Sequence, residues 1–420
     1  MASDSPSPIL QGVLAINKPN GISSAQVIRD AQRHFNPSAT FKPWVDNEKA
    51  KRGLENHNQK QRRSVAKRAC QVKMGHGGTL DPMATGVLIL GIGSGTKYLG
   101  SFLEGNKTYE TVVLFGAASD TYDSEGKVVG RKAHEHITRE KVEEALSQFR
   151  GDIMQKPPIY SALRIDGKRL YDYAREGQPL PREIESRPVH VESLEVVDWL
   201  EGGSHEWHWP EREGDDKDRR AMEALVHLDA DPPTSTKTTV DHADPGDATG
   251  SKRKRDEVDE PSQERQAKRP EQDPSESSAN AQSEQPHEGQ PETSASRKPC
   301  PASAVRLRMT TASGFYVRSL CHDLGAAVGS LALMTSLVRT QQGQFELGKN
   351  VLEYDHLKEG EGVWGPQVAS MLEAWQKEHG DDEQGKNANK DAARRHQEKR
   401  ARRPAPSQPY DRRNTSSEEN

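Results

Sequence analysis

The chain has 420 residues, of which 32% are hydrophobic and 29% are charged, and its formal net charge is −5. Its length would allow about two or three domains, but so polar a composition excludes a hydrophobic core that runs through the whole chain. Three distant cysteines exclude a disulfide framework and indicate a reducing compartment. Without an apolar run of membrane-spanning length or a targeting presequence, we expect an intracellular chain with no membrane attachment.

The first predicted elements follow a flexible N-terminus, residues 1–10. Gly12–Ile16 has the composition of a buried strand, and Ser23 is placed to cap the helix that follows. Residues 37–74 then form a basic insertion, with nine Lys or Arg and one acidic residue between positions 49 and 73. This insertion is interpreted either as a solvated loop or as a surface for an anionic partner.

Most of the predicted core strands come next. Buried strands are predicted at Val87–Ile92 and Tyr109–Phe115, and a strand with alternating faces is predicted at Val189–Val197. Thr138 is placed to cap a helix that Gly151 ends. Because strands recur without regularly alternating helices, the pattern favours an α+β fold with a mixed, mostly antiparallel sheet over a doubly wound fold.

A second polar segment, residues 201–302, interrupts this pattern. Trp207 and Trp209 indicate a little structure at its start, but most of it is Ser, Pro, Glu, Gln and Asp and is expected to be disordered. It contains Lys252–Arg255, a basic cluster of the nuclear-import type, for which chance in a charge-rich linker is the alternative.

Order is expected to return at residue 303, so that one folded domain is built from residues 11–200 and 303–375. A half-buried strand is predicted at 305–309. The helix after Tyr316 has a buried face that consists of Leu320, Leu324, Ala327 and Val328. A last helix carries Val368, Met371, Leu372 and Trp375, and residues 376–420 form a disordered charged tail.

Fourteen residues around Asp81, Gly75–Leu88, carry the clearest sign of chemistry. Pro82 disfavours the helical conformation for Asp81, and glycines on both sides let a substrate or another backbone come close. This pattern suits a nucleophile or base on a rigid loop. The alternative is an ordinary Asp-Pro turn.

Nucleotide and metal sites fit the sequence poorly. The spacing in Gly91–Lys97 matches neither a Walker A loop nor a dinucleotide-binding loop, which leaves Lys97 as a point charge for a phosphate. His76 precedes Asp81 by five residues, but no third ligand has a suitable spacing, so no metal site is predicted.

Two aromatic residues and one arginine complete the candidates. Tyr109 begins a predicted strand and Tyr316 a predicted helix, positions that are typical of core edges and also of rings that stack on an unpaired base. Arg318 lies among apolar residues, where a guanidinium needs a carboxylate partner. Asp81 is the obvious candidate for that partner.

The stretch Gly75–Leu88 resembles the signature of the TruB family of tRNA pseudouridine synthases, enzymes that modify uridine 55 in the T arm. The remaining motifs of the family follow in the family's order, and the resemblance covers about half of the chain. They are Gly12–Ser24, Lys107–Tyr109, Pro157–Ala162 with Gly167–Tyr171, and Gly314–Leu320 with Asp323–Gly325.

The resemblance implies a sheet of the pseudouridine synthase type, no metal, no cofactor, and tRNA as the partner. It implies that Asp81 is the essential carboxylate, that Tyr109 stacks on the target base, and that Arg318 is the ion-pair partner of Asp81. The residues that would hold the flipped nucleotide and its phosphates are His76, Lys97, Tyr316 and Leu337.

The sequence departs from the bacterial family pattern in several places. Gly77 stands where Thr is common and Asn17 where Asp is usual, and the C-terminal PUA domain is not recognisable. With these departures, the sequence resembles a stand-alone family member of the eukaryotic, fungal type. In such a member we expect the basic insertion and the tail to replace the missing domain. Such a member would act in the nucleus, as a monomer without an obligate protein partner. Whether a mitochondrial pool exists and whether mRNA is also a substrate both stay open.

Two other functions are weighed against this one. A non-catalytic tRNA-binding or folding chaperone would keep basic surfaces and stacking aromatics but would not need Asp81. A guide-RNA-dependent synthase subunit resembles the catalytic stretch, but the unrecognised PUA domain argues against it. For the enzyme, attack of Asp81 on C1′ and removal of a C2′ proton both stay open.

Overall fold

The structure is a computed structural model, and the residues that it describes all belong to one compact unit. The described residues are 8–54, 70–216, 218 and 301–379. Several predictions therefore lie wholly or partly outside the described residues: those for the N-terminus, the middle of the basic insertion, most of residues 201–302 with Lys252–Arg255, and the tail.

Strands and helices follow one another in a mixed order. The strands are β1 Gly12–Lys18, β2 Met74–His76, β3 Thr85–Ile92, β4 Lys107–Phe115, β5 Ala117–Ser119, β6 Val128–Arg131, β7 Gly151–Gln155, β8 Arg164–Ile165, β9 Lys168–Arg169, β10 Arg187–Leu200, β11 Ala304–Thr311, β12 Ala332–Gln342, β13 Phe345–Glu346 and β14 Leu352–Glu353. The α-helices are α1 Ser24–Phe35, α2 Lys42–Gly53, α3 Leu99–Glu104, α4 Arg139–Ala145, α5 Leu170–Arg175, α6 Val317–Ala327 and α7 Glu361–His379.

One mixed sheet of ten strands forms the centre of the molecule, in the order β14-β1-β3-β12-β4-β11-β10-β7, with β2 on β3 and β13 on β12. Within it, β1 pairs with β14 and β3 with β12 in parallel, and the other pairs are antiparallel. This confirms the predicted α+β class. Because β11 lies between β4 and β10, chain from both sides of the 201–302 segment shares one sheet, as predicted.

Alternating apolar residues give the sheet two covered faces. Leu14 and Leu88 point into the larger core, with helices α1 and α6, whereas Val13 and Val87 point into a smaller core on the other face. The predicted caps are also present: Ser23 Oγ accepts from the Gln26 amide at 3.1 Å and thereby begins α1. None of the helices in the described parts of the chain has the length and apolarity to cross a bilayer.

The basic insertion contains a helix, α2, so the solvated-loop interpretation is wrong for its first part. Trp44 and Val45 on α2 are buried, and Phe41 stacks on Phe35 with ring centroids 4.7 Å apart. The Glu361 carboxylate accepts hydrogen bonds from the Thr40 amide and hydroxyl, both at 2.7 Å. Three aromatic or branched residues within five positions therefore fold this segment onto α1 and α7.

The ends of two structural elements and the burial of one residue differ from those predicted. The chain stays packed on the sheet to residue 216, because Trp209 Nε1 donates to the Phe115 carbonyl at 2.9 Å. Helix α7 continues to His379. Ala327, predicted to be buried, is exposed at the last position of α6, where Val328 takes the buried position instead.

Candidate active site

Asp81 lies on the loop between β2 and β3, above the larger core. Its neighbours Leu80, Met83 and Ala84 are at most 5% exposed and belong to that core. The side chain of Asp81 is 36% exposed. The apolar neighbours thus anchor the loop, while the carboxylate stays accessible to a substrate.

Arg318, in the first turn of α6, binds Asp81 through two contacts. Nε lies 2.9 Å from Oδ2, and Nη2 donates to Oδ1 at 3.2 Å. The pairing predicted from the sequence is therefore present, across 237 positions of the chain. A two-pronged contact of this kind restrains the carboxylate in rotation as well as in position.

The Arg318 side chain is only 7% exposed, and backbone carbonyls satisfy its remaining donors. Nη1 donates to the Thr121 carbonyl at 3.0 Å and Nη2 to the Tyr160 carbonyl at 2.9 Å. A buried guanidinium is tolerated only when its donors are satisfied in this way. These bonds also join the loops after β5 and β7 to the site.

Asp123 is a second carboxylate at the site, and it was not among the candidate residues predicted from the sequence. Its Oδ2 lies 3.7 Å from Nη1 of Arg318, and its Oδ1 accepts from the Thr121 hydroxyl at 2.5 Å and the Glu125 amide at 3.1 Å. Burial raises the pKa of the Asp123 carboxyl, against an opposing effect of Arg318. Nothing in the local sequence distinguishes this aspartate from that of an exposed turn.

Lys18, at the end of β1, holds the Asp81 loop from below. Its fully buried ammonium donates to the carbonyls of Pro82 at 2.8 Å and Ala84 at 2.5 Å. Burial lowers the pKa of Lys18 to about 8, partly offset by the charge of Asp81. The Ser24 hydroxyl adds a bond to the Leu80 amide at 2.9 Å. The N-terminal motif is therefore part of the site.

Tyr109 and Leu337 lie on the sheet face that carries the Asp81 loop. They come from the neighbouring strands β4 and β12, and both pack in the larger core, 9% and 7% exposed. Behind Tyr109, the guanidinium of Arg339 lies 5.5 Å from the ring centroid. The two predicted residues therefore belong to the same core on which the Asp81 loop packs.

Tyr316 caps the N-terminus of α6, two residues before Arg318. The side-chain amide of Gln155 holds its backbone: Oε1 accepts from the Tyr316 amide at 2.8 Å, and Nε2 donates to its carbonyl at 3.0 Å. Gln155, only 3% exposed, thus fixes the start of α6 relative to β7. This bond was not predictable, because it joins residues 161 positions apart.

His76 lies on β2, within electrostatic reach of Arg339. Burial first, and then the charge of Arg339, lower the pKa of His76, so the neutral ring is favoured. Its Nδ1 is buried without a hydrogen-bond partner. An unsatisfied ring nitrogen is available to a polar group of a bound nucleotide.

Lys97 is not brought to this site. It is exposed and ends a short helical turn after β3, whereas Asp81 precedes the first residue of β3. A strand of eight residues is about 26 Å long, so the two residues lie at opposite ends of it. The structure therefore separates Lys97 from Asp81. That Lys97 helps to hold the nucleotide and its phosphates stays a prediction, and a phosphate away from Asp81 is the contact that its position allows.

The site has a carboxylate, that of Asp81, which Arg318 holds in one orientation. The loop that carries it packs on the same core as Tyr109 and Leu337. Among the described residues, no group of three or more His, Cys, Asp or Glu is arranged to hold a metal ion. The Asp81 carboxylate is suited to nucleophilic or acid–base chemistry. The ring of Tyr109 is the side chain expected to stack on a substrate base.

Comparison with known proteins identifies the family. Residues 62–206 match the N-terminal domain of TruB family pseudouridylate synthases. The chain is 38% identical to tRNA pseudouridine synthase 4 of Schizosaccharomyces pombe, over 80% of this chain and 79% of that protein. Identity to the Saccharomyces cerevisiae protein of the same name is 32%, over 87% and 85%.

The chain is also similar to a solved structure, the crystal structure of a Cbf5-Nop10-Gar1 complex. The sequence identity is 17% and the TM-score is 0.41, over 86% of this chain and 60% of that chain. The two fungal relatives are similar over most of their own length and of this chain. The chain therefore belongs to the TruB family of pseudouridine synthases.

Proposed function

We propose that this pseudouridine synthase acts on tRNA, that its target is uridine 55 in the T arm, and that it works as a monomer without a guide RNA. The observation that carries the proposal is the Asp81 carboxylate, held by Arg318 through contacts of 2.9 and 3.2 Å on a loop that packs on the same core as Tyr109. The two fungal relatives, similar over most of their length, are named for action on tRNA.

The reaction breaks the N1–C1′ bond of uridine, turns the uracil and rejoins it through C5, whose proton is released while N1 gains one. Nothing is oxidised and no group leaves, so one carboxylate suffices. Asp81 either attacks C1′ or removes the C2′ proton. In both cases Arg318 fixes the oxygen that faces the sugar.

The target base must leave its stack before Asp81 can reach the sugar. Flipping costs a few kcal/mol, and less for a loop nucleotide. Stacking on Tyr109 returns about 1–3 kcal/mol of this. Leu337 lies on the strand next to that of Tyr109, Tyr316 lies two residues before Arg318, and the buried Nδ1 of His76 lacks a hydrogen-bond partner. These are the residues that we expect to meet the flipped uridine.

A basic and aromatic hairpin beside the site is suited to hold the T arm. Strands β8 and β9 and helix α5 carry Arg164, Lys168, Arg169 and Arg175 around Tyr171 and Tyr173. Cation–π contacts of 4.6 to 5.4 Å join Lys168 to Tyr173 and Arg169 to Tyr171. Alternating cations and rings suit a phosphate backbone with unpaired bases, and the Tyr160 carbonyl links the preceding loop to Arg318.

The test uses purified protein and a tRNA transcript labelled with tritium at C5 of uridine. We expect release of one tritium per tRNA, with the pseudouridine mapped to position 55 and no release from a transcript with cytidine there. Binding without release would favour the chaperone. A requirement for added guide RNA would favour the guide-dependent subunit. Modification at another position would overturn the proposed target.

Nuclear location and the monomeric state belong to the same proposal. The first rests on Lys252–Arg255, outside the described residues, and is tested by alanine substitution of these four residues in a fluorescent fusion, which should leave the nucleus. Light scattering of the purified chain should give its monomer mass of 46.6 kDa. Mitochondrial fluorescence in the same cells would reveal a second pool.

A further inference from the structure

We propose that Arg339, at the end of β12, is a positioning residue for pseudouridine formation. With Gln342 it holds the backbone that leads into Asp81 and supports the ring of Tyr109 from behind. The inference rests on the proposed function, because Asp81 and Tyr109 take their roles from it. Neither Arg339 nor Gln342 contacts the position expected for the substrate, so both act through other residues.

Arg339 is 2% exposed and binds the chain on both sides of Asp81. Nη2 donates to the Thr79 carbonyl at 3.1 Å, and Nη1 donates to the carbonyls of Gly78 and Val87, each at 3.3 Å. Thr79 lies two residues before Asp81 and Val87 on the strand that follows it. One planar side chain thereby fixes the separation between the two ends of the catalytic loop.

Gln342 extends this contact by one residue. Its Oε1 accepts from Arg339 Nη1 at 2.8 Å, while its Nε2 donates to the Gly77 carbonyl at 2.6 Å and to the Phe102 carbonyl at 2.8 Å. The two side chains thus hold the three consecutive carbonyls of residues 77–79. An amide is required here, because a glutamate would present no donor to the two carbonyls.

The backbone of the loop is shaped for this contact. Gly78 has φ +130°, a conformation that residues with side chains rarely adopt. A Cβ at Gly78 would also lie 3.3 Å from Arg339 Nη1 and from Gln342 Nε2. Gly78, the third glycine of the motif Gly75–Leu88, therefore lets the carbonyls approach the two side chains.

Among the described residues, no carboxylate lies within salt-bridge distance of Arg339. A buried guanidinium without a counter-ion is unfavourable, so the contacts that Arg339 makes must offset this cost. Its charge lies 5.5 Å from the ring centroid of Tyr109 and contributes to the low pKa of His76. The cation therefore influences two residues expected to meet the flipped nucleotide.

Lys18 and Ser24 hold the loop at Leu80, Pro82 and Ala84, so Arg339 and Gln342 complete the restraint on its other side.

Since a displacement of about 1 Å can cost about 10²-fold in rate, we expect Arg339→Met to lower the single-turnover rate about 10²-fold. The dissociation constant for tRNA should stay near the wild-type value. Arg339→Lys should recover part of the rate, because its ammonium keeps the charge and reaches fewer carbonyls.

The test compares single-turnover rate and tRNA affinity in wild type, Arg339→Met, Arg339→Lys and Gln342→Glu, with Arg308→Met as the control. Arg308 is half-exposed on β11, where it pairs with Glu110 away from the site, and its loss should leave both quantities unchanged. As a readout that a structural role would not move, the pKa of His76, followed by NMR, should rise in Arg339→Met and not in Arg308→Met.

Wild-type rates in folded Arg339→Lys and Gln342→Glu would overturn the inference, as would a loss confined to tRNA affinity. If circular dichroism shows that Arg339→Met is unfolded, the other two variants decide. Failure of the proposed function has a different signature, since the wild-type protein would then release no tritium from position 55.

Discussion

Asp81 and Asp123 bind different edges of one guanidinium, that of Arg318. Nε and Nη2 face Asp81 at 2.9 and 3.2 Å, and Nη1 faces Asp123 at 3.7 Å. The side chain of Asp81 is 36% exposed and that of Asp123 only 7%. One cation therefore binds two acids in different surroundings: the exposed carboxylate is accessible to a substrate, and the buried one restrains the arginine.

Asp81→Asn should abolish turnover while tRNA binding stays close to wild type. The amide keeps the size of the side chain but is neither a nucleophile nor a base, so we expect a loss of at least about 10⁴-fold. Tritium release and filter binding measure the two quantities. Appreciable turnover by Asp81→Asn would refute the assignment of this residue.

Arg318→Lys should lower the rate by about 10²-fold or more, since a lysine cannot replace a bidentate contact and two carbonyl bonds together. The charge is kept, so the variant tests geometry rather than neutralisation. The measurement is the single-turnover rate at saturating enzyme. Near-normal rates would show that the two-pronged contact with Asp81 is dispensable.

Asp123→Asn separates stability from activity. Its Oδ1 still accepts from Thr121 and Glu125, so the variant should fold. Burial raises the pKa of Asp123, so the ionised carboxylate is less favourable in the folded than in the unfolded protein. Removing its charge should therefore not lower the melting temperature. The rate should fall about 10-fold or more as Arg318 loses an orienting partner. An unchanged rate would contradict the orienting role.

Lys18 gives a pH-dependent prediction. Its pKa falls from 10.5 to about 8 on folding, so between these values the unfolded chain binds more protons, and the free energy of unfolding should rise with pH. This stabilising contribution is complete above 10.5 and is lost as the pH falls through 8. Lys18→Met should flatten the rise, as measured by urea unfolding at several pH values.

Lys107 provides the control for this experiment. Burial lowers its pKa to about 8 as well, but its ammonium binds the Leu103 and Gly105 carbonyls and not the Asp81 loop. Lys107→Met should flatten the same rise, whereas only Lys18→Met should also release the loop and slow turnover. Equal rates in the two variants would argue against the role given to Lys18.

The parts of the fold that follow from local sequence were predictable. The caps Ser23 and Thr138, the strand at Tyr109–Phe115 and the helix after Tyr316 depend on nearby residues and on hydrophobic spacing, and all are present. The pairing of Asp81 with Arg318 was predictable too, because a buried guanidinium required an acid and the conspicuous loop offered one.

Contacts to backbone carbonyls from distant residues were not predictable. Lys18, Gln342 and Arg339 act through carbonyl oxygens, which every residue has, so their partners leave no trace in the sequence. Lys97 shows the converse: it is close to Asp81 in sequence, but strand β3 lies between them and places them at opposite ends of that strand. The α2 helix was missed because basic residues obscured the apolar face of Trp44 and Val45.

Strand pairing at the junction of β10 and β11 has a consequence for how the chain tolerates change. Leu200 pairs with Ala304, so the polypeptide leaves and re-enters the sheet at one point, about 26 Å along β11 from the end that leads to Arg318. Closing a loop there becomes only about 0.6 kcal/mol harder for each doubling of its length. We therefore expect a tag or a whole foreign domain, inserted beyond the packed residues 201–216, to leave the sheet and the Asp81–Arg318 pair intact.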